Sequence, residues 1–393
     1  MSYKKVKISD IGKIVSGATP KTKDVDNYGG SIAWITPADL SGYTSKYISH
    51  GSRNITQKGY DSCSTHLMPR GTVLFSSRAP IGYVAIAENP ICTNQGFKSI
   101  VPNDDIDSEF LYYQLQYLRK KIQEKGSGTT FKEISGKVLG ETDIVVPSLE
   151  EQSRIVARIE ELFSELDKAV DTLKTTKEQL AVYRQAVLKS AFSDFNKKII
   201  IRNTADIVTS GSRGWAKYYS ETGALFIRIG NLTHAGIDID LDDVQHITPP
   251  NNAEGTRTKL RTKDVLISIT ADLGSIGFVT ENIQEAYINQ HIALVRFSNP
   301  VQGKFMAWYL RSEYGQKDLL KNKRGGGKLG LGLDDIRDTP VPIVSDLVAQ
   351  KTVDEIEERL SVCDSIEKTV DATLAQADAM RQSILKQAFE GKL

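Results

Sequence analysis

The sequence is poor in most of the features that mark a specialised class of chain. It has three cysteines, Cys63, Cys92 and Cys363, in 393 residues. An odd and scattered set makes no disulfide framework and fits a reducing cytosol. No apolar run approaches the ~20 residues that a membrane-spanning helix needs. No apolar stretch follows Met1-Ser2-Tyr3-Lys4-Lys5, so no secretion signal is expected. Neither charge dominates: 50 Lys and Arg face 49 Asp and Glu, a formal net charge of +1. A polybasic chain is thereby excluded. The 40% hydrophobic and 25% charged residues are the mixture of a globular protein, and the length suggests two to three domains.

Catalytic signatures are missing as well. There is no phosphate-binding G-x-x-x-x-G-K-[ST] loop, no G-x-S-x-G nucleophile elbow, and no Asn/Asp-Pro-Pro-Tyr/Phe pocket for a methyl-accepting amine. Gly325, Gly327 and Gly330 match G-x-G-x-x-G, but a basic helix end precedes them where a dinucleotide fold needs an apolar strand. Cys63 and His66 have metal-like spacing without a second pair nearby. His50, His234, His246 and His291 stand apart in the sequence and read as surface or loop residues. The chain is expected to be no enzyme, and to hold no metal or cofactor of its own.

What the chain does have is an internal repeat. Arg184-Gln185-Ala186-Val187-Leu188-Lys189-Ser190-Ala191-Phe192 returns as Arg381-Gln382-Ser383-Ile384-Leu385-Lys386-Gln387-Ala388-Phe389. Further pairs recur in the same order. Trp34-Ile35 with Leu40 matches Phe226-Ile227 with Leu232, and Val73-Leu74 with Ser76 matches Val265-Leu266 with Ser268. Ile81-Gly82 is paired with Ile276-Gly277, Asn94-Gln95 with Asn289-Gln290, and Val146-Pro147 with Gln152 with Val341-Pro342 with Gln350. The organisation is two related units, 1–148 and 199–345, each followed by a related segment, 149–198 and 346–393. The first unit carries 18 basic and 14 acidic residues and the last segment 6 and 10, so an anionic partner suits the former and not the latter.

The two segments read as long helices. Residues 150–192 contain no Pro and no Gly. Apolar or small residues recur at Ile155, Ile159, Leu162, Leu166, Ala169, Leu173, Thr176, Leu180, Tyr183 and Val187, a heptad seam. The second segment keeps the register at Ile356, Cys363, Ile366, Val370, Thr373, Ala377, Met380 and Ile384. A helix of about 44 residues would span roughly 66 Å at ~1.5 Å per residue. Each seam needs a partner, and the connectivity favours an antiparallel pair with an approximate two-fold axis.

The larger units read as mixed α/β modules. Strands are expected at Ile32–Ile35, Thr72–Phe75, Gly82–Ile86 and Ser99–Val101, then a helix over Ser108–Lys125. The second module repeats the order with Leu225–Ile229, Asp264–Ile269, Ile276–Thr280, Ile292–Phe297 and a helix over Lys304–Leu320. The loops are long and polar, which suits recognition. Each module ends in a Gly-rich stretch on a basic background, Lys125-Gly126-Ser127-Gly128-Thr129-Thr130-Phe131-Lys132 and Lys321-Asn322-Lys323-Arg324-Gly325-Gly326-Gly327-Lys328. Backbone N–H groups of such turns approach phosphates closely.

The combination resembles the specificity subunit of type I restriction–modification enzymes. Ile14-Val15-Ser16-Gly17-Ala18-Thr19-Pro20, Trp34-Ile35-Thr36-Pro37-Ala38-Asp39-Leu40 and Gly126-Ser127-Gly128 followed by Ile134 carry the likeness. So do Ile144-Val145-Val146-Pro147-Ser148-Leu149-Glu150-Glu151-Gln152 and Arg184-Gln185 through Phe192. The second module departs from it, with Ser212-Arg213-Gly214-Trp215 in place of the Thr-Pro segment.

The resemblance implies an α+β fold with two target-recognition domains separated by two long antiparallel coiled-coil helices. It implies a non-catalytic DNA reader in the cytoplasm, each domain binding one half of a bipartite, asymmetric site. Two methyltransferase subunits carrying S-adenosylmethionine would dock on the helices, and restriction/translocase subunits using ATP and Mg would join them. A second reading is a DNA-binding coiled-coil scaffold outside restriction, without a methyltransferase, and a third is an enzyme that uses an unrecognised site.

For base reading the candidates are Arg78, Asn94, Gln95, Lys98, Arg213, Arg228, Asn289 and Gln290, because Arg pairs with guanine and Asn or Gln with adenine. The two Asn-Gln pairs could equally be turn amides bonded to their own backbone. Lys125, Lys132, Lys323, Arg324 and Lys328 are phosphate candidates, and Thr129 is a further DNA contact within the first Gly-rich loop.

Overall fold

In the computed structural model the chain forms two units, residues 1–173 with 372–393, and residues 174–371. The structure describes residues 4–393 except 79, 129–131, 212, 252, 322 and 324–328, and leaves out the side chains of 253 and 254. Each unit holds one α/β module and a part of both long helices, Leu149–Phe192 and Asp346–Phe389. Among the described residues no helix is long and apolar enough to cross a membrane.

In the first unit the core of the sheet is Val73–Phe75, three successive buried residues, as expected of a strand covered on both faces. The strand order is Gly12–Ser16, Lys98–Pro102, Val73–Phe75, Val84–Ala87, Tyr47–Ile48. A short parallel pair, Trp34–Ile35 with Cys92–Thr93, lies beside it in sequence order. The helix Ser108–Glu124 starts where Asp107 accepts from the N–H groups of Glu109 and Phe110, each at 2.8 Å. It buries Phe110, Leu111, Leu115, Leu118 and Ile122 against Ile155, Ile159, Leu385 and Phe389 of the two long helices.

The second unit repeats the plan with two four-stranded sheets. One is Ala205–Ser210, Ile292–Phe297, Val265–Ser268, Ile276–Phe278. The other contains the parallel pair Ala224–Ile227 and Ala286–Ile288. The single helix expected over Lys304–Leu320 is two, Gly303–Arg311 and Glu313–Leu319. Ser312 breaks it in an extended conformation; its Oγ donates to the Tyr309 carbonyl (2.6 Å) and accepts from Gly315 N (3.3 Å). Only glycine fits at 315, since a Cβ there would stand 2.1 Å from the Tyr309 oxygen.

The long helices pack antiparallel within each unit. In the first, Asp167 pairs with Arg381 while Ile155 and Ile159 join the cluster of Leu385 and Phe389. In the second, Lys177 pairs with Asp371 at 2.8 Å and Arg184 with Asp364 at 2.7 Å. The expected seam of the second helix is half right. Ile356, Cys363 and Val370 are buried, but Ile366 and Met380 are exposed. The buried line instead takes in Val353 and Leu360 and passes the half-buried Glu367 and Arg381. Charged residues occupy seam positions there because carboxylate–guanidinium pairs replace apolar contacts, which hydrophobic periodicity does not register.

Backbone hydrogen bonds also correct the repeat register in three places. Gly82 N donates to Ser76 O and Gly274 N to Ser268 O, so Gly82 corresponds to Gly274 and not to Gly277. Both glycines have positive φ, +98° and +84°, at the same turn. The bonds Ile8 N to Thr142 O and Ile201 N to Thr339 O place Val146 opposite Ile343 and not Val341. The bonds Gln152 N to Ser148 O and Ala349 N to Ser345 O match Gln152 with Ala349 and not Gln350. Gln152 is buried and bridges Asp105, Pro147 and Asp107, whereas Gln350 is exposed and bonds Asp354.

Candidate nucleic-acid interface

Each module builds the same backbone cradle from four stretches of chain. In the first, Asn94 N donates to Ile35 O (2.9 Å), Ser77 N to Gly96 O (2.7 Å) and Ile134 N to Ser77 O (3.0 Å). In the second, Asn289 N donates to Ile227 O (3.1 Å), Ile269 N to His291 O (2.9 Å) and Leu331 N to Ile269 O (2.9 Å). A glycine closes each cradle. A Cβ on Gly17 would lie 2.1 Å from Thr93 O, and one on Gly211 would lie 2.0 Å from Asn289 O. The turn after the parallel strand is shared too: Thr36 N donates to Asp39 Oδ2 and Arg228 N to Asn231 Oδ1, both at 2.8 Å.

The cradle brings several of the expected residues together. Arg78 bridges to Glu133 across the Gly-rich return, with 3.8 Å between charged groups. Burial pushes the Lys98 ammonium below the usual lysine range; Glu133 opposes that shift and Arg78 adds to it. Gln95 is exposed and accepts from the Thr19 hydroxyl. Lys132 is exposed beside Glu133. Asn94 and Asn289 are turn amides: their Oδ1 atoms accept from Gly96 N (2.9 Å) and His291 N (3.1 Å).

Other expected residues stand apart from this cluster. Lys125 ends the helix Ser108–Glu124, with Nζ 3.2 Å from Thr142 Oγ1. Arg228 turns to Asp243 (3.3 Å) and shares a cavity of about 390 Å³ with Asp240, Asp243 and Asn289. Arg213 and Lys323 are exposed. Thr129, Arg324 and Lys328 lie outside the described residues.

Sequence reading missed four residues of the cradles. Glu133 orients Arg78. Arg257 donates to Thr209 Oγ1 (2.5 Å) and Ser210 O (2.7 Å) beside Gly211. His291 and Thr270 face each other, Nδ1 to Oγ1, at 2.5 Å. Aligning Ser16-Gly17 with Ser210-Gly211 would have exposed the second cradle. His234 is not isolated either, but meets Asp272 Oδ1 (2.8 Å) and Ser275 Oγ (3.2 Å). Both contacts use Nε2, so the ring cannot relay a proton between carboxylate and hydroxyl as a nucleophilic triad must. Among the described residues no group of three or more His, Cys, Asp or Glu is placed to hold a metal ion.

A second paired feature lies where each module meets the helices. In the first unit a cleft of about 1140 Å³ is lined by Lys46, Tyr113, Glu160, Ser164, Asp167, Arg381 and Gln382. In the second a cleft of about 570 Å³ is lined by Trp308, Glu357, Ser361, Asp364, Arg184 and Gln185. Apart from Lys46, these are repeat-equivalent positions with the roles of the two helices exchanged. Burial works to lower the Lys46 pKa, but its bonds to Glu109 and Glu160 hold it above the usual lysine range.

A family model described as type I restriction modification DNA specificity domain matches residues 2–182. Over that stretch and beyond it the chain is similar to type I restriction–modification specificity subunits. It is 44% identical over 261 residues to the type I restriction enzyme MjaIX specificity subunit of Methanocaldococcus jannaschii, a match covering 60% of this chain and 59% of that relative. It is 24% identical to the EcoBI specificity subunit of Escherichia coli over 100% of this chain and 86% of that one. The fold matches the HsdS subunit from Thermoanaerobacter tengcongensis with a TM-score of 0.64 at 19% identity, over 100% of this chain and 97% of that chain. A chain from a study of type I R-M complex assembly and conformational transition matches at 0.76 and 18% identity, over 100% and 98%. Type I specificity subunits confer DNA specificity; they are not catalysts and carry no cofactor of their own.

Proposed function

We propose that residues 1–148 and 199–345 are two target-recognition domains, each reading one half of a bipartite, asymmetric DNA site. The segments 149–198 and 346–393 would act as spacer and as dock for two methyltransferase subunits. Those partners would bring S-adenosylmethionine, and restriction/translocase subunits would bring ATP and Mg.

The observation that carries the reading is the doubled cradle. One backbone scaffold is built twice, with glycines at its closest approach, while its surrounding side chains differ. A repeated scaffold with unlike faces suits two unlike half-sites. Arg78, Lys98, Gln95 and Lys132 would meet DNA in the first module, and Arg213, Gln290 and Lys323 in the second. Asn94 and Asn289 would shape the loops that carry them. The exposed apolar residues of the long helices support docking: Leu149 and Met380 in the first unit, Val182, Leu347 and Val362 in the second.

The test is to co-express the chain with its methyltransferase and sequence the methylated DNA of the host. A two-part motif is expected, absent without the chain. Purification of the chain without any methyltransferase, together with an unchanged methylome, would favour the scaffold reading.

A further inference from the structure

The two cradles share their backbone, and three of the matched places at which their side chains differ lie together. Where the first has Arg78, Gly96 and Glu133, the second has Thr270, His291 and Gly330. The bridges Arg78 to Glu133 and Thr270 to Gly330, and the bonds into Gly96 O and His291 O, fix this correspondence without reference to side chains. The second set forms a chain of polar contacts. Gln290 Nε2 lies 2.9 Å from His291 Nε2, and His291 Nδ1 lies 2.5 Å from Thr270 Oγ1.

The chemistry of that chain has a direction. An amide N–H donates to Nε2, which leaves the ring proton of a neutral imidazole on Nδ1. Nδ1–H then donates to the Thr270 oxygen. The Thr270 hydroxyl keeps its proton for an outside acceptor, and Gln290 keeps its carbonyl for an outside donor. The first cradle offers at the same place a guanidinium, which only donates.

We propose that Thr270, His291 and Gln290 form a base-reading element of the second module, standing where Arg78 stands in the first. The element presents one donor and one acceptor, the pattern of adenine's N7 and N6 edge, whereas Arg78 matches the two acceptors of guanine. The proposal rests on the DNA-reading function above and adds which positions distinguish the half-sites.

The test uses the chain with its methyltransferase in cells, read by sequencing of methylated sites. The triple substitution Thr270→Arg, His291→Gly and Gly330→Glu installs the first module's side chains at all three places. One position of the second half-site is expected to shift to guanine while the first half-site stays as it was. His291→Ala, which removes the ring without adding bulk, is expected to relax discrimination at that same position by ten-fold or more. The unaltered half-site reports that each variant is folded. An unchanged second half-site in both variants, with only slower methylation, would overturn the proposal. Absence of any two-part motif in the unsubstituted complex would instead overturn the DNA-reading function itself.

Discussion

Arg184 of the first long helix is paired with Asp364 of the second at 2.7 Å, and Arg381 of the second is paired with Asp167 of the first. Each arginine and each aspartate has its repeat equivalent in the other pair. The duplication has therefore produced one contact twice, with donor and acceptor helices exchanged.

These pairs should hold the helix register. Arg184 is half-buried and also meets Glu367 at 2.9 Å. Arg184→Met is expected to cost about 1–2 kcal/mol, between the values for exposed and buried pairs. Exchanging charges in the sister pair, Asp167→Arg with Arg381→Asp, should recover most of the loss of either single change. Urea unfolding of the four proteins measures the coupling, and additive losses would remove the pair from the account of helix packing.

The closing glycines predict module-specific damage. Gly17→Ala drives a Cβ into the Thr93 and Asn94 carbonyls, and Gly211→Ala into those of Ile288 and Asn289. Each should destabilise by about 1–3 kcal/mol. Gly17→Ala should loosen discrimination in one half-site and Gly211→Ala in the other. Binding to DNA with single-base changes in each half would show whether the damage stays on its own side.

Arg78 and Lys132 should separate specificity from affinity. Arg78→Ala is expected to cost about 1–3 kcal/mol on the cognate site and to relax one base position. Lys132→Ala should weaken all sequences alike and reduce the salt slope by about one. Titrations at several salt concentrations measure both; equal effects on cognate and random DNA for both variants would remove Arg78 from base reading.

The Lys46 group predicts a pH dependence in the first unit. Burial works to raise Glu109, but hydrogen bonds from Lys46 and Tyr47 hold its carboxyl below the usual glutamate range. Its contribution is complete above its ordinary pKa, near 4.5, and is lost as the pH falls through the depressed value. Lys46 is raised, so its contribution is complete below 10.5 and is lost only as the pH climbs beyond it. Lys46→Met should therefore destabilise at neutral pH and flatten the acid limb. Urea midpoints between pH 3 and 7 would show it.

The spacer role predicts a change in gap length. Four residues inserted near Thr175-Thr176, about one helical turn, should lengthen the DNA between half-sites and leave both half-sites unchanged. Sequencing of methylated sites reads both quantities. An altered half-site would count against the spacer.

The repeat, the two long helices and the strands Val73–Phe75, Val84–Ala87, Val265–Ser268 and Ile292–Phe297 were legible in the sequence, because hydrophobic period and internal similarity are local in the chain; the short or polar strands Gly12–Ser16, Tyr47–Ile48 and Ala205–Ser210 were not. The family likeness rested on contiguous motifs for the same reason. The tertiary structure alone decided which side chains meet. Arg78 finds Glu133, Gln95 finds Thr19, and His291 finds Thr270 across gaps of 55, 76 and 21 residues. It also decided that Glu367 and Arg381 belong to the helix seam, and that Gly82 answers Gly274. Such contacts depend on how distant loops are pressed together by backbone hydrogen bonds, and a linear pattern carries no record of that pressing.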